Sequence, residues 1–230
     1  MDRMALGAAS LLFAFSCAVA DDRVVPAYEE PRHVVKFENE WIRFIDVEIP
    51  QGEQTLYHAH SLDYPYLMIS DVTLRNQIYG QEPVDVKVQR GTVGYYRASS
   101  QGTYTHRFIN QGPGTFRAIG IELLRPMQPS TTVKAPLPAD SGFVTVLDNE
   151  RVRAYRVKLE PGESAGPVAI HGPSVRVAMT GGRISEETEG SDGAIFDLAP
   201  ARFLFRENTV ITTITNTGNE TIELVQFLLN

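Results

Sequence analysis

The sequence predicts an all-β protein made of two tandem antiparallel domains of the sandwich or barrel kind, to which the jelly roll belongs. Short segments alternate β-branched or aromatic residues with polar ones, and Gly, Asn, Asp and Pro interrupt them at short intervals. Separated parts of the chain also repeat each other at a constant interval, with a proline-rich segment between the two copies. The length of 230 residues suffices for two domains of about 100 residues each.

Alternation is the evidence for the individual strands. Successive side chains of a strand point to opposite faces, so a half-buried strand alternates apolar with polar residues. No long amphipathic helix is predicted after residue 20. The clearest predicted strands cover residues 41–49, 72–79, 84–88, 103–109 and 115–124.

An internal repeat indicates that the two domains arose by duplication. Asn39 and Gly52 lie in segments that resemble those around Asn149 and Gly162. The interval is 110 positions in both cases, from 39 to 149 and from 52 to 162. We therefore predict an N-terminal barrel and a C-terminal barrel of similar topology.

The predicted domain boundaries follow from this repeat and from the prolines. Residues 21–125 form the N-terminal barrel and residues 141–230 the C-terminal barrel. Residues 126–140 between them carry four prolines, which indicates a stiff, extended linker.

Residues 1–20 are predicted to be a secretory signal peptide. Arg3 precedes an apolar run that ends in Ala-Val-Ala, which is a cleavage signal. The run is short for a membrane span, so a retained anchor is the less favoured alternative. We expect an exported protein, periplasmic or secreted, that starts at Asp21 and does not contact the membrane after signal removal. Cys17, the single cysteine, would leave with the signal, so no thiolate would remain to bind a metal.

Composition narrows the range of partners. The net charge is −7 and no run of Lys or Arg occurs, so a nucleic-acid partner is not expected. The hydrophobic fraction of 43% is enough for packed cores.

Three histidines predict a metal site in the N-terminal half. His58 and His60 flank Ala59 in a predicted strand, so their side chains point to the same face. His106 lies in a second predicted strand and can supply a third imidazole. Three neutral imidazoles suit one divalent transition metal, with Fe preferred and Mn, Ni, Cu or Zn as alternatives.

The spacing of these residues resembles the cupin superfamily. The first cupin motif begins with a Gly, five residues and HxH, which Gly52, His58 and His60 match. The second motif ends in a His, three residues and an Asn, which His106 and Asn110 match. The resemblance implies a bicupin, that is, two tandem antiparallel jelly-roll barrels with the metal in the N-terminal one.

The sequence departs from the cupin pattern at the fourth ligand. The family carries a Glu near the position of Tyr64 or Pro65, and neither residue is acidic. Asp63 is adjacent, but strand alternation places it on the face opposite His60. Asp63 and Tyr64 therefore stay open as fourth ligands.

The second copy lacks the metal-binding histidines. The positions that correspond to the HxH pair hold Val168 and Ile170. The position of the third histidine holds Thr212, counted back from Asn216, which matches Asn110. We therefore predict one metal ion per chain. The C-terminal barrel is expected to keep the fold but not the metal site.

Aromatic and basic residues supply further candidates near the metal. Tyr64 and Tyr104 are predicted to face the metal and to orient a substrate or donate a proton. The same alternation turns a second group of side chains inward, comprising Leu62, Tyr66, Met68 and Phe108. Candidate partners of a substrate carboxylate are Arg75, Arg97, Arg107 and Arg117. His33 and His171 are interpreted as structural or surface residues.

The resemblance implies metal-dependent chemistry on a small organic molecule. Three-histidine cupins include Fe(II) dioxygenases that act on thiols and β-diketones, and this is the preferred interpretation. A metal-dependent isomerase or lyase is one alternative, and a non-catalytic binding protein for a small molecule or metal is another. A site without a carboxylate ligand favours an anionic substrate. A homodimer is a further expectation.

Overall fold

The computed structural model describes residues 23–125 and 135–230. The predicted signal peptide and most of the predicted linker therefore lie outside the described residues. Among the residues described, no helix has the length and apolar character that a membrane crossing requires.

Within residues 23–125, the first barrel contains ten strands and one short α-helix. A single 3-10 turn, Ala27–Glu29, follows the first strand. The elements are β1 (Val24–Pro26), β2 (His33–Glu38), β3 (Ile42–Ile49), β4 (Tyr57–His60), β5 (Tyr64–Met68), β6 (Val72–Ile78), β7 (Val84–Val88), β8 (Val93–Tyr96), α1 (Ala98–Gln101), β9 (Tyr104–Gly112) and β10 (Phe116–Leu123).

The second barrel contains nine strands. They are β11 (Phe143–Asp148), β12 (Val152–Leu159), β13 (Ser164–Ile170), β14 (Ser174–Ala178), β15 (Gly182–Thr188), β16 (Ser191–Leu198), β17 (Phe203–Arg206), β18 (Val210–Asn216) and β19 (Ile222–Leu229). The all-β prediction is confirmed, and both domains are jelly-roll barrels.

The two barrels share one strand order. In the first barrel the sheets run β2-β3-β10-β5-β8 and β1-β4-β9-β6-β7. In the second they run β11-β12-β19-β14-β17 and β13-β18-β15-β16. Strands β2 to β10 thus correspond one by one to β11 to β19. The first barrel adds β1, which pairs in parallel with β4 at the edge of the sheet.

Two corresponding asparagines, one in each barrel, make the same hydrogen bonds, which explains why this residue is repeated. The buried Asn110 side chain donates to the carbonyls of Ile49 and Gly114, and it accepts from the N–H of Gly112. Asn216 makes the corresponding three bonds in the second barrel. Asn110 therefore holds the end of a strand and a turn together.

Three apolar clusters hold the molecule together. One fills the interior of each barrel, around Leu74 and Phe116 in the first and around Tyr155 and Ile170 in the second. The third joins the β2-β3-β10-β5-β8 sheet to the β11-β12-β19-β14-β17 sheet. Each fully buried large apolar side chain contributes about 1.5–3 kcal/mol, so the stability of the fold rests on these clusters.

The contact between the barrels leaves both interiors separate. Phe44 of the first barrel stacks on Phe203 of the second, with ring centroids 4.0 Å apart. The outward faces of the two sheets form this contact, while their inward faces line the two barrel interiors. Each interior can therefore carry its own site.

Candidate metal centre

Strands β4 and β9 bring the three predicted histidines together. They are antiparallel neighbours, with His58 directly opposite His106 and His60 opposite Tyr104. Strand alternation points both histidines of the HxH segment into the barrel. One ring nitrogen from each of the three residues lies within 4.8 Å of the others. Three converging imidazoles on two paired strands form a candidate site for a divalent metal.

Hydrogen bonds donated by Nδ1 set the tautomers of two of these histidines. His58 donates from Nδ1 to the carbonyl oxygen of Leu56 at 3.0 Å. His106 donates from Nδ1 to Oδ1 of Asn76 at 2.9 Å. Each imidazole therefore carries its lone pair on Nε2. The buried Nε2 of His58 has no hydrogen-bond partner, which fits a nitrogen that binds a metal.

His60 completes the set from the same face of β4, two residues after His58. Its Nε2 lies 3.2 Å from Nε2 of His106. Its ring stacks on Tyr64, with centroids 4.6 Å apart. The approach of two neutral ring nitrogens gives a ligand geometry that a shared metal ion would satisfy.

Burial lowers the pKa of all three imidazoles. The pKa of His58 falls to about 4 because the ring is buried. That of His60 falls to about 3, mainly through burial and also through the neighbouring His58. The pKa of His106 lies well below its usual value for the same reasons. All three are therefore neutral at pH 7, which is the form that binds metals.

His33, interpreted from the sequence as a structural or surface residue, lies beside the three histidines. It is buried, and its ring meets that of His58 edge to face at 4.4 Å. Its Nδ1 donates to the carbonyl of Ala27 at 2.8 Å. His33 is thus structural, and it also lines the cavity beside the three histidines. Only the pairing of β2 with β3, where His33 faces Val47, turns it inward.

The histidines open into an apolar cavity of about 360 Å³. Such a volume suits a small organic molecule. Strands of both sheets contribute to its wall, which is rich in aromatic rings. The principal lining residues are Val47, Tyr64, Tyr66, Met68, Leu74, Tyr95, Tyr96, Tyr104, Phe108 and Phe116.

The two predicted catalytic tyrosines both face this cavity. Tyr64 is stacked on His60, and burial is the main cause that raises the pKa of its hydroxyl. The ring of Tyr104 lies tilted against that of His106, with centroids 4.4 Å apart, and its Oη accepts a hydrogen bond from Asn76 at 2.8 Å. Both hydroxyls therefore stay protonated at neutral pH.

Asn76 is a residue of the cavity wall that the sequence analysis missed. Its side chain accepts from His106 and donates to Tyr104, so it ties the histidine to the tyrosine. A hydrogen bond of this kind orients a metal-binding imidazole. The sequence signal was its strand parity with Leu74, which faces the same cavity.

Glu122 is a second residue of the cavity wall that the sequence analysis did not single out. It is 4% exposed and accepts a hydrogen bond from Nη1 of Arg43 at 2.6 Å. Burial raises its pKa more than the bond from Arg43 lowers it. The cavity therefore contains a carboxyl group that can hold a proton more readily than an exposed one.

Asp63, left open above as a fourth ligand, lies outside the cavity. Its carboxylate accepts hydrogen bonds from Tyr95 and from the N–H and hydroxyl of Ser99. It also pairs at 3.5 Å with Arg151 of the second barrel. Asp63 therefore joins the two barrels, as the alternation of the strand requires.

The four candidate arginines likewise do not line the cavity. Arg75 pairs with Asp85 on the surface, and Arg117 pairs with Asp46. Arg97 pairs with Glu150, and Arg107 lies over the ring of Tyr57. Their side chains make these contacts outside the cavity. Leu62, expected to point inward, is not among the lining residues either.

The second barrel replaces the histidines as the repeat predicts. Val168 lies directly opposite Thr212, and Ile170 opposite Val210, in the register of the first barrel. No second cluster of possible metal ligands occurs in the described part of the chain. The hydroxyl of Thr212 instead donates to Glu186 at 2.8 Å.

Solved structures with the same architecture identify the fold. AerE from Microcystis aeruginosa has a TM-score of 0.61 at 14% identity, over 84% of this chain and 90% of that chain. A variant of oxalate decarboxylase from Bacillus subtilis has a TM-score of 0.58 at 11% identity, over 84% of this chain and 70% of that one. These are cupin-fold proteins. This chain has the bicupin fold.

Other comparisons bear on how far this likeness extends. A variant of salicylate 1,2-dioxygenase from Pseudoaminobacter salicylatoxidans has a TM-score of 0.54 at 10% identity, over 82% of this bicupin and 71% of that chain. No protein-family model and no curated protein sequence matches the chain. At such identities the likeness shows the fold, and the reaction depends on the site.

Proposed function

We propose that this bicupin is a metal-dependent protein that acts on a small organic molecule in its N-terminal barrel, and that it is a three-histidine Fe(II) dioxygenase. The convergence of three buried, neutral imidazoles at the wall of an apolar cavity carries this proposal. Mn, Ni, Cu and Zn suit the same nitrogen ligands and stay alternatives.

The residues present fit a divalent transition metal. His58 and His106 each keep an Nε2 lone pair because their Nδ1 atoms donate elsewhere, and His60 brings its Nε2 beside them. A bound Fe(II) supplies a redox-active Lewis acid with open coordination positions. The histidines are proposed to hold this ion, and Asn76 to orient one of them.

The remaining cavity residues are proposed to bind and orient the substrate. Aromatic walls exclude water and offer faces for a planar molecule to stack on. The Tyr64 and Tyr104 hydroxyls can donate hydrogen bonds, and Glu122 can accept or return a proton. Among the residues that the structure describes, no Lys or Arg side chain lines this cavity, so the metal would supply its positive charge. These features support a small anionic substrate.

Two structural neighbours support this substrate class. One is a decarboxylase of oxalate and the other a dioxygenase of salicylate, and both substrates carry carboxylates. A planar aromatic or enolic anion would suit the tyrosine-lined cavity of this chain. A lyase or isomerase is the second candidate, because Glu122 and the tyrosines provide proton-transfer groups without dioxygen. A binding protein without turnover is the third, and the missing carboxylate ligand favours it.

Replacement of His60 by alanine tests the metal site. His60→Ala removes one of three ligands, so metal content after chelation and remetallation should fall to a small fraction of that of the unchanged protein. His171→Ala is the matched control, because His171 lies in the other barrel and should leave metal content unchanged. Full metal content in His60→Ala protein would overturn the proposal.

Oxygen consumption separates the candidate functions. Iron-loaded protein is mixed with a panel of β-diketones, thiols and phenols, and dissolved oxygen is recorded. Uptake that needs both iron and His60 supports a dioxygenase. Substrate loss without oxygen uptake supports the lyase or isomerase, and saturable binding without substrate loss supports the binding protein.

Export and assembly are proposed on the sequence alone. Removal of residues 1–20 would give a periplasmic or secreted protein, and intact mass of the exported protein should correspond to a start at Asp21. A mature chain that retains the first twenty residues would contradict this. A homodimer is proposed as the assembly, and light scattering of the purified protein measures it.

A further inference from the structure

The interior of the second barrel contains an ion cluster where the first barrel has its metal centre. Arg176, Glu186 and Arg206 all turn inward, and the repeat aligns them with Tyr66, Asn76 and Tyr96 of the first barrel. The aligned residues of the first barrel are all uncharged. The two barrels therefore differ in charge at these three positions as well as in the histidines.

The cluster contains more positive than negative charge. Glu186 is 2% exposed, and its Oε2 accepts from Nη2 of Arg206 at 2.9 Å. Nη1 of Arg176 lies 3.1 Å from the same oxygen, and Nε of Arg176 donates to Gln226. Two guanidinium groups thus face one carboxylate, so the cluster has one positive charge in excess, shared between the buried Arg176 and the partly exposed Arg206.

Several polar atoms of the cluster are buried without a hydrogen-bond partner. They include Nε of Arg206 and the hydroxyl oxygen of Ser174 on the neighbouring inward position. They also include Nη1 of Arg176, whose 3.1 Å approach to Glu186 is an ion pair without hydrogen-bond geometry. Arg176 itself is only 6% exposed. Buried N–H groups are normally paired, so donors left open in a buried cationic cluster indicate a missing acceptor.

A small cavity adjoins Arg176, whereas Ser174 and Arg206 do not line it. Its volume is about 90 Å³, and Arg176, Glu186 and the exposed Arg202 contribute its polar lining. The remaining lining residues are apolar, among them Ala178 and Leu204. At about 30 Å³ for each water molecule, the space admits a ligand of only a few heavy atoms.

We propose that this cavity of the C-terminal barrel binds a small carboxylate monoanion such as acetate. A carboxylate matches the planar donor fork of a guanidinium, and a single negative charge balances the excess charge of the cluster. Arg176 is the principal partner, and Arg202 attracts the anion at the mouth. The proposal does not depend on the metal site, because the residues belong to the other barrel.

Isothermal titration with sodium acetate at constant ionic strength, balanced with chloride, tests the proposal. The full-length His60→Ala protein is the background, because acetate then cannot report on metal in the first barrel. One saturable site is expected. Acetate that produces no more heat than the chloride control in this protein would overturn the proposal.

Two further variants in that background locate the site. Ala178 lines the cavity, and the aligned residue of the first barrel is Met68. Ala178→Met therefore fills the cavity without a change of charge. It should weaken acetate binding at least tenfold. Arg202→Gln should weaken it several-fold, whereas Arg183→Gln, an exposed control on β15, should not change it.

The variants give a decision in each case. Unchanged acetate affinity in folded Ala178→Met protein would overturn the proposal. If Ala178→Met does not fold, as judged by circular dichroism, Arg202→Gln decides, and an affinity equal to that of Arg183→Gln would overturn it.

Discussion

Replacement of Asn76 by leucine tests whether the metal centre depends on a residue that would not itself bind the metal. The side chain keeps a similar size but loses both polar atoms. His106 then has no acceptor for its Nδ1–H, which lies 2.9 Å from Oδ1 of Asn76 in the unchanged protein. The imidazole can rotate or change tautomer, and its Nε2 no longer points to the other histidines with a free lone pair.

The expected loss follows from this one hydrogen bond. Removal of such a partner of a metal-binding histidine costs 10–100-fold in affinity, which is about 1.4–2.7 kcal/mol. The cost of leaving a buried N–H unpaired, about 1–3 kcal/mol, has the same size. We therefore expect the Kd for a divalent metal, measured by competition with a chromophoric chelator, to rise 10–100-fold in Asn76→Leu protein.

Two control variants separate this effect from a general loss of packing. Asn76→Asp keeps the acceptor for His106 and should bind metal at least as tightly as the unchanged protein. Tyr104→Phe removes only the hydroxyl that accepts from Asn76, so the Kd should change less than threefold. An unchanged Kd in Asn76→Leu protein would refute the argument, as would an equal loss in all three variants.

Substitutions at Tyr64, Asp63 and the two asparagines, together with a change of pH, test the contacts of the other residues. Tyr64→Phe keeps the ring against His60, so metal content should stay constant while turnover falls; unchanged turnover would assign the hydroxyl to packing. Asp63→Ala leaves the buried Arg151 without its carboxylate partner and should lower the free energy of unfolding by about 3 kcal/mol with no loss of metal, whereas loss of metal in folded protein would return Asp63 to the ligand set. Asn110→Ala and Asn216→Ala each remove three hydrogen bonds and should each cost about 3 kcal/mol in urea unfolding; a much smaller cost for either would contradict the structural role. Burial holds the pKa of the cavity imidazoles below 6.5. Below that pH the unfolded chain therefore binds more protons than the folded chain. Metal-free protein should consequently lose stability as the pH falls from about 6.5 towards about 4. A urea midpoint that rises over this range would show that the imidazoles are not buried as neutral groups.

The sequence by itself determined the fold class and the three histidines. Alternation within a strand is a local property, so it predicted that His58 and His60 share a face. The interval of 110 then predicted Val168 and Ile170 in place of His58 and His60, and the match of Asn216 with Asn110 predicted Thr212 in place of His106. The direct pairing of Val168 with Thr212, in the register of His58 with His106, confirms that inference.

Only the tertiary structure decided which other residues meet those histidines. Asn76, Glu122 and His33 lie on three different strands, and no local pattern relates one strand to another. The pairing order of the strands brings their inward faces to one cavity, and it places Asp63 at the contact with the second barrel instead. The buried charges of that barrel appear in the sequence as ordinary polar positions of a strand. Sequence sets the face on which a side chain lies, whereas the closure of the barrel determines what that face meets.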